Sequence, residues 1–195
     1  VIVAPTAASL TVGVIAGGRG SRLGGLDKAW LEQDGMPQVL RWRARFAPHA
    51  ARFVVSANRS LERYAACGIE TVVDRTPDAG PMSGLDALAA AADTPWLLTL
   101  PVDLRDADAR LLPMLALLAG ETGACAQDDD GVQPLVALWP TAALRAGAAD
   151  ALARGDYAVR GLQRRLGVRV VRLEGVRFGN LNTPDDLIDA GIAAS

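Results

Sequence analysis

Apolar residues gather along this chain into short runs, separated by longer stretches in which they return every three or four positions. The runs cover 11–16, 52–57, 70–73, 96–100, 135–139 and 168–173, and continuous apolar segments bounded by Gly, Pro, Asn or Asp predict strands buried on both faces. Between them the helical period takes over. Leu85, Leu88, Ala89 and Ala92 share one face of a helix predicted over 84–92, with Ser83 and Asp86 spaced as a capping box. Near the end of the chain Thr183 is placed as an N-cap, followed by Pro184 at the first helical position and by Asp185 and Asp186 near the positive helix terminus. Alternating strands and helices predict right-handed β-α-β crossovers and a mostly parallel sheet covered on both faces, an α/β protein of three layers, α/β/α.

At 195 residues the chain fits one domain with its own core. Residues 1–10 read as a loose N-terminal stretch and 11–195 as the domain. The first ten residues are apolar but short, lack a basic segment and contain Pro5, so they predict neither a membrane span nor a signal peptide. Half of the residues are hydrophobic (50%) and the net charge is −2, which excludes a broad basic surface for nucleic acid and points to small-molecule or protein partners. Cys67 and Cys125 lie far apart without C-x-x-C spacing, so neither a disulfide framework nor a zinc site is expected, and a reducing cytoplasm fits. Asp128, Asp129 and Asp130 before Gly131 predict a solvated turn, and the single histidine, His49, a surface or cap position.

Candidate chemistry begins where the first apolar run ends. Val14-Ile15-Ala16 runs into Gly17-Gly18-Arg19-Gly20-Ser21-Arg22-Leu23-Gly24-Gly25-Leu26-Asp27-Lys28, a glycine-rich basic loop able to turn backbone N–H groups toward an anion. It is not a P-loop, because Ala29 follows Lys28 where a hydroxyl is needed to hold magnesium. Nor is it a dinucleotide fingerprint, because Leu23 takes the place of the third glycine and no acidic residue closes the next strand at Ala57-Asn58. In open α/β sheets ligands bind beyond the carboxyl ends of the strands. Gly17 and Gly18, Asn58, Asp74 and Asp103 all end apolar runs, so one rim carries a glycine loop, an amide and two carboxylates, with Lys28 nearby. That set suits a nucleoside triphosphate with Mg2+. Asp103 is the candidate metal ligand, because Mg2+ takes hard oxygen ligands and keeps several waters. Lys28, assisted by Arg22, is the candidate for stabilising charge on the α-phosphoryl group. No Ser-His-Asp or Cys-His pairing is visible, as expected if an anionic acceptor attacks directly.

The string I-A-G-G-x-x-S-R-L-G-G-x-D-K resembles the signature of the molybdenum cofactor guanylyltransferases, within the pyrophosphorylase-like nucleotidyltransferases. The likeness continues through Ala57-Asn58-Arg59, Val73-Asp74, Gly80-Pro81-Met82-Ser83-Gly84-Leu85, Pro101-Val102-Asp103, Gln133-Pro134-Leu135 and Asn180-Leu181-Asn182-Thr183-Pro184-Asp185-Asp186-Leu187. It implies a Rossmann-like nucleotidyltransferase fold and Mg2+-dependent transfer of GMP from GTP to the terminal phosphate of molybdenum-bound molybdopterin. It further implies a monomer in the cytoplasm, with molybdoenzymes or their chaperones as protein partners. By this resemblance Ile15, Ala16, Gly17, Gly18, Lys28, Asn58, Asp74 and Asp103 bind the nucleotide, with Arg22, Lys28 and Asp103 catalytic. Gly84, Arg160, Asn180 and Asn182 are the acceptor-side candidates. Asn180 and Asn182 equally fit a loop-ordering role, and the basic group of Arg160, Arg164, Arg165 and Arg172 equally fits a solvated face. Use of CTP, another phosphorylated acceptor, or a carrier without catalysis remain alternatives. The chain departs from the pattern at Leu23, at Trp30 and at Leu104-Arg105-Asp106, which puts the shape of the loop after Asp103 and the identity of the acceptor in question.

Overall fold

The computed structural model describes residues 5–17, 25–108 and 110–192. Its strands are β1 (Leu10–Ile15), β2 (Glu32–Gln33), β3 (Met36–Pro37), β4 (Arg52–Ser56), β5 (Glu70–Val72), β6 (Trp96–Pro101), β7 (Ala124–Asp128), β8 (Gly131–Pro140) and β9 (Arg169–Arg172). The helices are α1 (Gln38–Phe46), α2 (Leu61–Ala66), α3 (Pro81–Ala91), α4 (Leu111–Leu118), α5 (Thr141–Ala153), α6 (Val159–Leu166) and α7 (Pro184–Asp189). β2 and β3 form a small hairpin, and the other strands make one seven-stranded sheet in the order β5-β4-β1-β6-β8-β7-β9. β1 pairs in parallel with β4 and β6, β4 with β5, and β7 with β9, whereas β8 runs antiparallel to both β6 and β7.

That order fixes where the site lies. From β1 the chain steps outward to β4 and β5, then returns across the sheet to β6 on the other side of β1. Right-handed crossovers in opposite directions put their helices on opposite faces. Accordingly, Trp42 and Phe46 of α1 and Leu111 and Leu115 of α4 share one buried cluster with Val12, Val14, Leu98 and Leu100. Leu85 and Leu88 of α3, Leu144 and Ala148 of α5 and Leu162 of α6 form another with Val54, Leu97 and Trp139. The gap between the carboxyl ends of β1 and β6 is then the topological switch point, where open α/β sheets bind ligands.

All six predicted strands and the three-layer arrangement are present, with four differences. β7 lies outside the predicted strands: Ala124-Cys125-Ala126-Gln127-Asp128 has little β-branched or large apolar character, and its place is set by pairing on both sides. α3 starts at Pro81 behind Gly80, whose φ of 58° suits glycine, so Ser83 lies inside the helix and is not its cap. Ser83 instead accepts at Oγ from the Thr76 N–H at 3.3 Å, and Asp86 meets Arg75. The third difference is Asp128. The β7–β8 turn exists, yet Asp128 is buried, its carboxylate accepting from the N–H groups of Asp130 and Phe178 and from Gln133 Nε2. Only Asp129 and Asp130 face solvent there, beside Arg172 and Arg177. At the other end of the chain, Thr183 is the N-cap of α7 as expected, and Asp186 completes a capping box with it. Leu10, within the stretch read as loose, opens β1 and is fully buried.

Candidate active site

A cleft of about 890 Å³ opens at the switch point, lined by Ile15, Ala16 and Gly17 at the end of β1, by Ser56, Asn58 and Arg59 at the end of β4, and by Pro101, Val102 and Asp103 at the end of β6. Lys28, Asp74, Pro77, Asp78, Gly80, Pro81, Gly84 and Leu135 complete its walls. The described nucleotide-side candidates therefore surround one cavity. Gly18 and Arg22 lie outside the described residues.

Asn58 and Asp74 are joined head to tail. Asn58 Nδ2 donates to Asp74 Oδ2 at 2.8 Å, and the Asp74 N–H donates to Asn58 Oδ1 at 2.9 Å. Ser56 Oγ donates to the other carboxylate oxygen at 3.2 Å. A Cβ on Gly17 would sit 3.3 Å from Asn58 Nδ2 and 3.5 Å from Asp74 Oδ2, so the missing side chain lets the first strand end pass against this pair. Gly84 does the same for α3, where a Cβ would meet Ser56 Oγ at 3.1 Å and Ile15 Cγ2 at 3.3 Å. The N-terminus of α3 thereby reaches the cleft with no acidic residue in its first turn, an arrangement favourable to anions.

Lys28 opens a 3-10 turn, Lys28–Trp30, whose N-cap Asp27 accepts from the Ala29 N–H. Ser60 Oγ donates to Asp27 Oδ2 at 2.8 Å, and Arg59 donates from Nη1 to the Gly25 carbonyl at 3.0 Å. The end of β4 thus grips the exit of the glycine loop, a role for Arg59 and Ser60 that no spacing in the sequence revealed. Trp30, one of the departures from the family pattern, packs at a tilt against Tyr64 with ring centroids 4.9 Å apart while the Arg63 guanidinium covers it at 4.1 Å. Burial raises the Tyr64 hydroxyl well above the usual phenol range.

The backbone at Asp103 and at both its neighbours is held by hydrogen bonds. Trp42 Nε1 donates to the Val102 carbonyl at 3.4 Å, Gln38 Nε2 to the Leu104 carbonyl, and the Leu181 N–H to the Asp103 carbonyl at 2.8 Å. The altered loop after it forms a bridge between Leu104 and Asn180, with further bonds from Arg105 N–H to Gly179 and Asp106 N–H to Phe178. Lys28 Nζ lies 2.9 Å from Asp103 Oδ2 and also donates to Asn182 Oδ1. Asp103 offers a hard carboxylate oxygen at the cleft edge, a quarter exposed. Among the described residues no group of three or more His, Cys, Asp or Glu is placed to hold a metal. A donor set of one carboxylate fits Mg2+ arriving with phosphate oxygens and water.

The acceptor-side candidates are less closely gathered. Gly84 lines the cleft; Asn180 is exposed at the bridge to Leu104; the Asn182 side chain is engaged by Lys28. Arg160 is not among the lining residues. It is exposed on α6 and donates from Nη2 to the Val132 carbonyl at 3.2 Å, on the strand that supplies Leu135 to the cleft. Arg165 pairs with Asp156. His49 is exposed in a 3-10 turn, both cysteines are free thiols, and no helix among the described residues is long and apolar enough to cross a membrane.

Comparison with known proteins places this geometry among nucleotidyltransferases. Residues 12–170 match the model of the MobA-like NTP transferase domain. A molybdenum cofactor guanylyltransferase of Cereibacter sphaeroides is 40% identical over 183 residues, covering 91% of this chain and 93% of that protein. One from Pseudomonas aeruginosa is 37% identical over 178 residues, covering 88% and 89%. Among solved structures, molybdopterin-guanine dinucleotide biosynthesis protein A of Archaeoglobus fulgidus superposes with a TM-score of 0.71 at 21% identity, over 92% of this chain and 96% of that one. The 2-C-methyl-D-erythritol 4-phosphate cytidylyltransferase of Thermus thermophilus gives 0.69 at 22% identity, over 91% and 95%. These two show a shared fold.

Proposed function

The chain belongs to the MobA-like NTP transferase family, and from that premise we propose that it transfers GMP from GTP to the terminal phosphate of molybdenum-bound molybdopterin, releasing pyrophosphate. The observation that carries this reading is the meeting of Lys28 and Asp103, at 2.9 Å, in a cleft at the switch point of the sheet. A cation and a hard anion side by side suit a ligand that brings both phosphate and metal.

In the reaction an oxygen of the acceptor's phosphate attacks the α-phosphorus of GTP. The new O–P bond forms as the bond to the bridging α,β oxygen breaks, and pyrophosphate leaves with that electron pair. Bound at Asp103, Mg2+ would neutralise phosphate oxygens. Lys28 stabilises charge as it builds around the α-phosphoryl group, with Arg22 and the N–H groups of the glycine loop as its partners. Ile15, Ala16 and Gly17 line base and ribose with Asn58 and Asp74, while Gly18 belongs to the phosphate loop. Fixed positions carry the step, since the attacking oxygen is already anionic. On the acceptor side, Gly84 lets the N-terminus of α3 approach, and Asn180 and Arg160 border the path that the pterin phosphate takes. The protein works as a cytoplasmic monomer that passes its product to molybdoenzymes or their chaperones.

Pyrophosphate release should be measured with GTP, CTP, ATP and UTP in the presence of Mg2+, with and without molybdate-loaded molybdopterin. Release with GTP that requires the acceptor is expected. Equal release with CTP would overturn the guanine assignment, and GTP binding without release would leave a carrier. Asp103→Asn keeps side-chain volume and should lower turnover by roughly 100-fold or more; undiminished turnover would remove the metal role from this residue.

A further inference from the structure

Lysine has three N–H donors on a long, flexible stem. In this structure two protein oxygens fix the Lys28 ammonium: Asp103 Oδ2 at 2.9 Å and Asn182 Oδ1. We propose that Asn182 is a positioning residue that holds Lys28 at the nucleotide's phosphates, rather than a contact for the acceptor. The proposal rests on the nucleotide-binding reading of the cleft.

Asn182 is itself fixed from both sides. Its N–H donates to Asp186 Oδ2 at 2.9 Å, an oxygen that also accepts from the Thr183 N–H at 2.8 Å. The preceding residue, Leu181, is fully buried and donates its N–H to the Asp103 carbonyl. The segment before it runs beside the loop after Asp103, through the Leu104–Asn180 bridge and the bonds to Gly179 and Phe178. The amide oxygen is thus presented to Lys28 by a braced stretch of chain that lies beyond the match to the family domain, which ends at residue 170.

The chemistry of the two acceptors differs. Asp103 is an anion, and its carboxylate is the group on which a divalent cation would compete with Lys28. Asn182 is a neutral acceptor, so it restrains the ammonium without cancelling the charge that a triphosphate needs. A lysine already restrained has less rotamer freedom to lose when the phosphates arrive.

The test is calorimetric titration of GTP, with Mg2+ and without acceptor, into the full chain and into Asn182→Ala, Lys28→Ala and the double variant. Asn182→Ala should weaken GTP about 5- to 10-fold, the upper end of what a single intramolecular hydrogen bond contributes. The double variant should bind GTP no more weakly than Lys28→Ala alone, because Asn182 then has nothing to position. Unchanged affinity in Asn182→Ala, or effects that multiply in the double variant, would overturn the proposal. The same holds if Asn182→Ala raises KM for the acceptor while leaving GTP binding intact. Should the alanine variant fold poorly, Asn182→Asp keeps size and an accepting oxygen but adds charge on Lys28, and is expected to weaken GTP; equal or tighter binding would count against the idea. A wild-type chain that binds no GTP would instead defeat the nucleotide reading, and this inference with it.

Discussion

At position 84 a single methyl group would press a helix against the sheet it already touches. An alanine Cβ there would lie 3.1 Å from Ser56 Oγ and 3.3 Å from Ile15 Cγ2, so its neighbours must give by a few tenths of an ångström. Alanine is favoured over glycine inside a helix by about 1 kcal/mol, which offsets much of that strain. The expected outcome for Gly84→Ala is therefore a Tm close to wild type with a GTP affinity lowered about fivefold, because Ser56 also holds Asp74 through its hydroxyl. Matched thermal melts and GTP titrations would check this, and a large loss of Tm with intact affinity would show that the contact serves packing alone. Residues of this kind could be read in the sequence because they end apolar runs: Asn58, Asp74 and Asp103 all reach the cleft they were expected to form. Arg59, Ser60 and Gln38 could not, since each acts on backbone carbonyls or on residues far away in the chain, and no local pattern marks such a partner.

Among the elements, α7 shows most directly how a short helix can serve chemistry elsewhere. Its start was legible from Thr183 as N-cap, Pro184 and the two carboxylates that follow, though not the capping box that Asp186 closes. Nor was the use made of it legible, because Lys28 and Asn182 are 154 positions apart and meet only through the fold. β7 was missed for the opposite reason, its small side chains giving no periodic signal, while the buried Asp128 looks in sequence like its exposed neighbours. Asp186 lies below the ordinary carboxylate range, first because it accepts from the Asn182 N–H, with Thr183 and the charge of Lys28 adding to this. A depressed folded value means that its contribution is complete above the ordinary Asp range, near about pH 4, and is lost as pH falls through the depressed value. Amide exchange at Asn182 and Thr183, taken relative to the unstructured rate at each pH, should accelerate over that acid window in wild type. In Asp186→Ala it should be fast at all pH, with about 1 kcal/mol of stability lost. Exchange that is insensitive to both changes would show that the segment is held by the Leu181 and Asn180 contacts without the helix cap.

Across the whole molecule, one cleft draws its walls from both arms of the sheet. β4 and the loop after β5 supply Asn58, Asp74 and Asp78, whereas β6 supplies Asp103, with β1 between them at the point where strand order reverses. A ligand seated there bridges the two directions of chain winding, so it should stabilise the domain as a unit. At about 100 times its Kd, a ligand that binds only the native state adds about 2.7 kcal/mol. For a domain of this size that corresponds to a rise in Tm of roughly 5–11 °C. GTP with Mg2+ should give such a rise in a single transition, CTP a smaller one, and Asp103→Asn should shrink the effect of GTP. Two separated transitions in the presence of GTP would mean that the arms melt independently and that the nucleotide is held by one of them. A rise equal for GTP and CTP would locate recognition in the phosphates and ribose, and would leave the wall formed by Asn58, Asp74 and Asp78 without a part in choosing the base.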